Sequence, residues 1–156
     1  MRAVVIVLEP GAAIMKLVKH LLANKPSGVL SIHPDGSVLD AIKMMAERSI
    51  GALLVIDEQG LVGIVSERDY ARKVILKGRS SRETLVRDIM TANVVTTTPE
   101  DSVNHCMTLM TRKRFRHLPV IENDLVVGVV SIGDLVGAII ADQQEEIEQL
   151  GQYISG

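Results

Sequence analysis

The sequence predicts an α+β protein built from two copies of one β-α-β-β-α unit. Two observations carry this. Sliding the chain by 65 positions aligns two segments without a gap, so that Val29 falls on Val94 and Asp69 on Asp134. In both segments, short β-rich apolar runs and helical apolar spacing follow in the same order.

Each element has its own signal. Val29 to His33 and Val94 to Thr98 are short β-rich runs, closed by Pro34 and Pro99, which cannot continue a ladder. An amphipathic helix follows. Val38, Ala41, Ile42 and Met45 share one face in the first copy; Val103, Cys106, Met107 and Met110 do so in the second. Two apolar runs come next, Ala52–Ile56 and Leu61–Val65, joined as a hairpin by Asp57-Glu58-Gln59-Gly60. The second copy has Leu118–Ile121 and Leu125–Val130, joined by Glu122-Asn123-Asp124. A further helix begins after Ser66 and after Ser131. About 13 of about 42 aligned positions are identical, far above chance for unrelated segments.

The hairpin runs are apolar at nearly every position, so both faces of each small mixed sheet need cover by helices or by the other copy. The two copies are therefore expected to pack about a pseudo-twofold axis, leaving two equivalent clefts between them. The predicted organisation is an N-terminal segment with a lead-in helix (1–28, helical over 12–23), repeat 1 (29–77), a linker (78–93) with a short helix over Thr84–Met90, repeat 2 (94–141), and a C-terminal helix extension and tail (142–156).

Composition limits the function classes. The chain has 156 residues, 47% apolar and 23% charged, and a formal net charge of −2. There is no basic surplus of the kind a duplex-binding protein shows. Aromatic residues make up only 2%, which argues against a stacking platform for single strands. No apolar run approaches the roughly 18 residues of a membrane span, and the apolar start of the chain lacks a cleavage site. The single cysteine, Cys106, fits a reducing cytoplasm, and its place on an apolar helix face makes it a core thiol. His20, His33 and His105 are scattered without metal-ligand spacing.

The informative motif is Gly63-Ile-Val-Ser66-Glu-Arg-Asp69, echoed by Gly128-Val-Val-Ser131-Ile-Gly-Asp134. It sets a serine and an aspartate at a helix N-terminus, where free N–H groups and the dipole favour an anion. The serine hydroxyl suits a phosphate, and the aspartate can accept from ribose hydroxyls. Ser-x-x-Asp is equally the spacing of a capping box, and Ser37-x-x-Asp40 uses it where no ligand is suspected. The preceding glycine, open to close approach by another group, favours the ligand. The basic run Arg112-Lys-Arg-Phe-Arg-His117 is either a solvated helix C-terminus or a phosphate clamp through Arg114, Arg116 and His117. The first copy has Glu47-Arg-Ser-Ile-Gly-Ala52 there, so the clefts should differ in charge, with Arg68, Arg72 and Lys73 available to the other one.

These residues resemble the cystathionine β-synthase (CBS) domain: the repeated unit, the proline before the first helix, and Gly-h-h-Ser-x-x-Asp after the third strand. The tandem pair is similar to a Bateman module, and Val86-Arg-Asp-Ile-Met-Thr91 to the lead-in of a second copy. The resemblance implies an adenosine ligand (AMP, ADP, ATP, NAD(H) or S-adenosylmethionine) acting as a regulator, with no cofactor required. It implies Asp69 and Asp134 on ribose, Ser66 and Ser131 near phosphate, and Ile32, His33, Leu54, Thr97, Thr98 and Pro119 around adenine. It further implies a homodimer formed through the helices. The residues themselves add Arg68 as a phosphate candidate, an effector protein in trans, and neither nucleic acid nor membrane as partner. The competing expectation is a structural dimerisation module with unoccupied clefts. An enzyme is not expected: the chain shows no nucleophile–base pair, and it is too short for a (β/α)₈ barrel.

Overall fold

The structure is a computed structural model, and it describes residues 16–25 and 28–155. In order, the elements are α1 (Val18–Ala23), β1 (Ser31–Ile32), α2 (Val38–Arg48), β2 (Ala52–Asp57), β3 (Gly60–Ser66), α3 (Glu67–Tyr70), α4 (Val103–Lys113), β4 (His117–Glu122), β5 (Leu125–Ser131) and α5 (Ile132–Ser155). A π-type turn over Ala71–Ile75 continues α3, and a 3-10 turn spans Val86–Asp88. The described residues divide into two compact units. One gathers 28–96 with 123–127; the other gathers 16–25, 97–122 and 128–155.

In the first-repeat unit the sheet order is β1-β2-β3. β1 runs parallel to β2, with Ile32 opposite Val55, and β2 runs antiparallel to β3. Ser37 caps α2 by accepting the Asp40 N–H at 3.0 Å. The helix then buries Val38, Ala41 and Met45 against Leu53, Val55 and Val65. Val74, Val86 and Ile89 complete that core.

The second-repeat unit reproduces the arrangement with one economy. Its first strand is reduced to a parallel bridge, Thr97 opposite Val120, which is the Ile32–Val55 pair moved by 65. Thr97 donates its N–H to the Pro119 carbonyl at 3.0 Å and accepts from Ile121 at 2.8 Å. Ser102 caps α4 through the His105 N–H at 3.0 Å. Val103, Cys106, Met110, Leu118, Val120, Val130 and Leu135 are buried. Thr97 also donates its hydroxyl to Asp101 at 2.6 Å and lies 3.3 Å from the Cys106 sulfur. The matching first-repeat residues are Ile32, Gly36 and Ala41, so this polar knot belongs to the second copy alone.

One expectation needs correction, and one segment finds a distant partner. The helix predicted over Thr84–Met90 contracts to the 3-10 turn, because Val86 and Arg87 donate their N–H groups to Gly36 and Pro34 rather than along a helix. The lead-in helix, whose residues 12–15 lie outside the described residues, is bonded to the second repeat. Val18 donates to the Asp101 carbonyl at 2.8 Å, Lys19 donates to Pro99 at 3.0 Å, and Val103 donates to Lys16 at 3.0 Å. The linker makes the same three bonds on the first repeat: Val86 to Gly36, Arg87 to Pro34, and Val38 to Thr84. Val18 and Val86 are both fully buried. Each repeat is thus completed by the segment that precedes the other.

The glycines before the two serines serve this exchange. A Cβ on Gly63 would lie 2.6 Å from the Met90 sulfur and 2.9 Å from the Thr91 carbonyl oxygen; one on Gly128 would lie 2.6 Å from a Leu22 methyl carbon. The group that approaches each glycine is therefore a lead-in side chain and not a ligand, which removes that support for the ligand reading. Leu22 ends in a flexible methyl, whereas Thr91 presents backbone. Gly63→Ala should therefore cost about 1–3 kcal/mol and Gly128→Ala less, seen as a lower urea midpoint at unchanged slope.

Candidate functional site

Both serine–aspartate pairs close as caps at the end of a hairpin. Ser66 and Asp69 form a reciprocal box: the Ser66 N–H donates to Asp69 Oδ2 at 2.9 Å, and the Asp69 N–H donates to Ser66 Oγ at 3.2 Å. In the second repeat the Ser131 N–H reaches Asp134 Oδ2 at 2.8 Å, and the Asp134 N–H reaches Ser131 Oγ at 3.1 Å. The local geometry follows from the sequence, since serine at the N-cap and an acid at N3 satisfy two orphan N–H groups. A third is satisfied by the strand ahead: Glu67 donates to the Gly51 carbonyl at 3.0 Å, and Ile132 donates to that of Arg116 at 2.9 Å.

The surroundings of the two carboxylates differ. Asp69 has both oxygens engaged, Oδ2 by Ser66 and Oδ1 by Lys73 at 3.2 Å. Lys73 also donates to the Ile89 carbonyl at 2.9 Å. Asp134 takes both the Ser131 N–H and the Lys25 ammonium on Oδ2, the latter at 2.8 Å. Its Oδ1 has no recorded hydrogen bond among the described residues. Burial alone would raise the Asp134 carboxyl, but Lys25 and the Ser131 N–H outweigh it and hold the group below the usual carboxylate range. Next to this pair sits His117. Burial, and then the charge of Lys25, push its imidazole below the ordinary value against the pull of Asp134, with Arg116 adding to the depression.

Of the expected phosphate residues, Arg116 and His117 come to the start of α5: the Arg116 carbonyl accepts the Ile132 N–H while its side chain is exposed, and His117 opens β4. Arg114 is exposed and sits in the left-handed region as the C-cap of α4, the place Ser49 holds in the first copy. Arg68 is exposed in the first turn of α3. The first-repeat counterparts of Arg116 and His117 are Gly51 and Ala52, so that unit lacks their basic groups.

Of the expected adenine residues, Leu54 and Pro119 are buried on the second strand of each copy and Ile32 is half-buried. His33 is exposed and lies 3.1 Å from Glu58 and 3.7 Å from Asp35. Thr98 is exposed with its N–H on Asp101, and Thr97 has its hydroxyl on Asp101 and near Cys106. The sequence reading missed Lys25. It precedes the first repeat, and its partner lies 109 positions away.

A family model, "CBS domain", matches residues 18–75 and 86–141. This chain belongs to the CBS domain family. Its two matches begin at Val18 and Val86, the residues of the exchanged lead-ins. The CBS domain-containing protein CBSX3, mitochondrial, of Arabidopsis thaliana is 47% identical over 127 residues, which is 78% of this chain and 62% of the relative. A second Arabidopsis relative, CBSCBSPB2, is 33% identical over 86% of this chain, but the match spans only 25% of that protein. Among solved structures, a protein with CBS domains from Burkholderia ambifaria is 50% identical with a TM-score of 0.79, covering 82% of this chain and 96% of that one. The CBS domain pair of MJ0100, solved with 5′-methylthioadenosine and S-adenosyl-L-methionine, has a TM-score of 0.72 at 29% identity, covering 81% and 98%. A hexameric CBS-CP12 protein from cyanobacteria matches at 28% identity and TM-score 0.70, covering 78% and 69%. The α+β fold of this CBS pair is therefore that of a Bateman module. Among the described residues no helix is long and apolar enough to cross a membrane, and no group of three or more His, Cys, Asp or Glu residues is placed to hold a metal.

Proposed function

We propose that this CBS pair is a non-catalytic regulatory module that binds adenosine-containing nucleotides and signals by a change of conformation or assembly. The observation that carries the proposal is the second-repeat site. Asp134 offers an oxygen at a helix N-terminus, with Ser131 bonded to it and Arg116 and His117 at the start of the adjoining strand. A diol can donate to the carboxylate while an anion faces the N–H groups and the basic side chains. The two adenosine compounds bound by the MJ0100 pair support the same ligand class. Ser66 and Asp69 form the first-repeat counterpart. Ile32, His33 and Leu54 would face adenine there, and Thr98 and Pro119 in the second, with Thr97 behind them. AMP, ADP, ATP and NAD(H) are the proposed ligands, in a cytoplasmic setting that suits a single buried thiol.

The test is a melting panel of AMP, ADP, ATP, NAD⁺, NADH and S-adenosylmethionine. A ligand at 100 times its dissociation constant adds about 2.7 kcal/mol, a shift of several degrees for a chain of this size. A flat response to all six at millimolar concentration would overturn the proposal.

A second reading rests on its own observations. Both caps close on their own side chains, so they need no ligand to be satisfied. The far half of α5 also leaves Ile140, Ile147 and Leu150 about 60% exposed along one face, with Val136 next to them in the same stripe. Such a stripe fits an interface with a second copy. A homodimer through this helix is expected to sediment at twice the chain mass, and Ile147→Glu with Leu150→Glu is expected to return the monomer.

A further inference from the structure

We propose that Lys25 is the phosphate-selecting switch of the second-repeat site: it neutralises Asp134 until a 5′-phosphorylated nucleoside arrives, then moves to the phosphate as the ribose hydroxyls take its place. This rests on the adenosine-ligand proposal above and adds to it the residue that decides between nucleoside and nucleotide.

Three observations lead there. Lys25 spends both of its recorded bonds at this site, on Asp134 Oδ2 and on the Val129 carbonyl, each at 2.8 Å. It is the cation most directly opposed to a ribose, because it occupies the carboxylate that the ribose would use. Its ammonium is a point charge on a flexible four-carbon stem, so it can exchange partners without moving the backbone. The anion it would move to has the start of α5 to approach, where Ile132 donates to the Arg116 carbonyl and the half-buried His117 opens the adjoining strand β4.

The first repeat shows that the ion pair is not a by-product of duplication. Asp69 also carries a lysine, Lys73, which bonds a main-chain carbonyl as well. Yet the two lysines are not repeat-related. Lys73 moved by 65 falls on Ala138, and Lys25 moved by 68, the spacing of the lead-ins from Val18 to Val86, falls on Asn93. Each aspartate has acquired a cation from a different part of the chain. Only at Asp134 does that cation come from the exchanged lead-in.

The test is calorimetric titration of the full chain with AMP and with adenosine, in an Asp69→Ala background so that the second-repeat site reports. The parent is expected to prefer AMP. Lys25→Met keeps the aliphatic stem and is expected to weaken AMP about tenfold or more while adenosine binds equally or more tightly. Lys25→Arg should retain most of the preference. Equal weakening of both ligands by Lys25→Met, or unchanged AMP binding, would overturn the switch and leave the adenosine site standing. Binding of neither ligand by the parent would overturn both.

Discussion

Val18→Asp is expected to loosen the second repeat and leave the first intact, although Val18 lies just ahead of the first. The side chain is fully buried in the second-repeat unit, and its N–H is bonded to the Asp101 carbonyl. A carboxylate buried there should cost on the order of 4 kcal/mol. Native-state hydrogen exchange resolves the location, because it reports opening unit by unit. Amides of α4 and β4 should lose protection while those of α2 keep theirs. Val86→Asp should give the mirror image, since Val86 is equally buried against α2 and Leu53. Loss of protection in α2 on Val18→Asp would refute the exchange of lead-ins.

Asp134→Ala is expected to abolish nucleotide binding at the second-repeat site while costing the free protein little. Loss of the cap is worth about 1 kcal/mol, a few degrees of melting temperature. Two ribose hydroxyls on a carboxylate are worth about 1.5–3 kcal/mol each, so affinity should fall roughly 100-fold or more. Asp69→Ala should have the smaller effect on phosphorylated ligands, because Gly51 and Ala52 stand where the second copy has Arg116 and His117. Titration calorimetry of both variants decides it. Equal loss from the two would show that the basic residues contribute nothing.

Much of the fold was legible because the two copies share one spacing. Pro34 and Pro99, the caps Ser37 and Ser102, and the hairpins all recur at one offset, and local chemistry determines each of them. The Ser–Asp boxes were legible for the same reason. Their rival meanings were not, because a cap and a ribose site ask for the same two residues. The exchange of lead-ins was hidden by a change of spacing: Leu17 and Val18 correspond to Leu85 and Val86 at 68 rather than 65. The hydrogen bonds of Val18 and Val86 decide which copy each lead-in completes. The glycines were read as room for a ligand because a sequence shows where space is left, not what fills it. Lys25 carried no periodic signal at all.

The exchanged lead-ins also set an order of assembly during synthesis. The bulk of the first-repeat unit is complete once Thr91 has emerged, since Val86 and Met90 supply its last core contacts. Residues 16–25 are made before that, yet Val18 and Lys19 meet Asp101 and Pro99 only afterwards, and Leu22 meets its partner only when the chain has grown to Gly128. At about 5–20 residues per second, those roughly 40 further residues take about 2–8 s. Through that interval Leu22 is an apolar side chain without the partner it finds at Gly128. A segment made ahead of the first repeat thus settles after it, and it is a part on which a chaperone would have much to do.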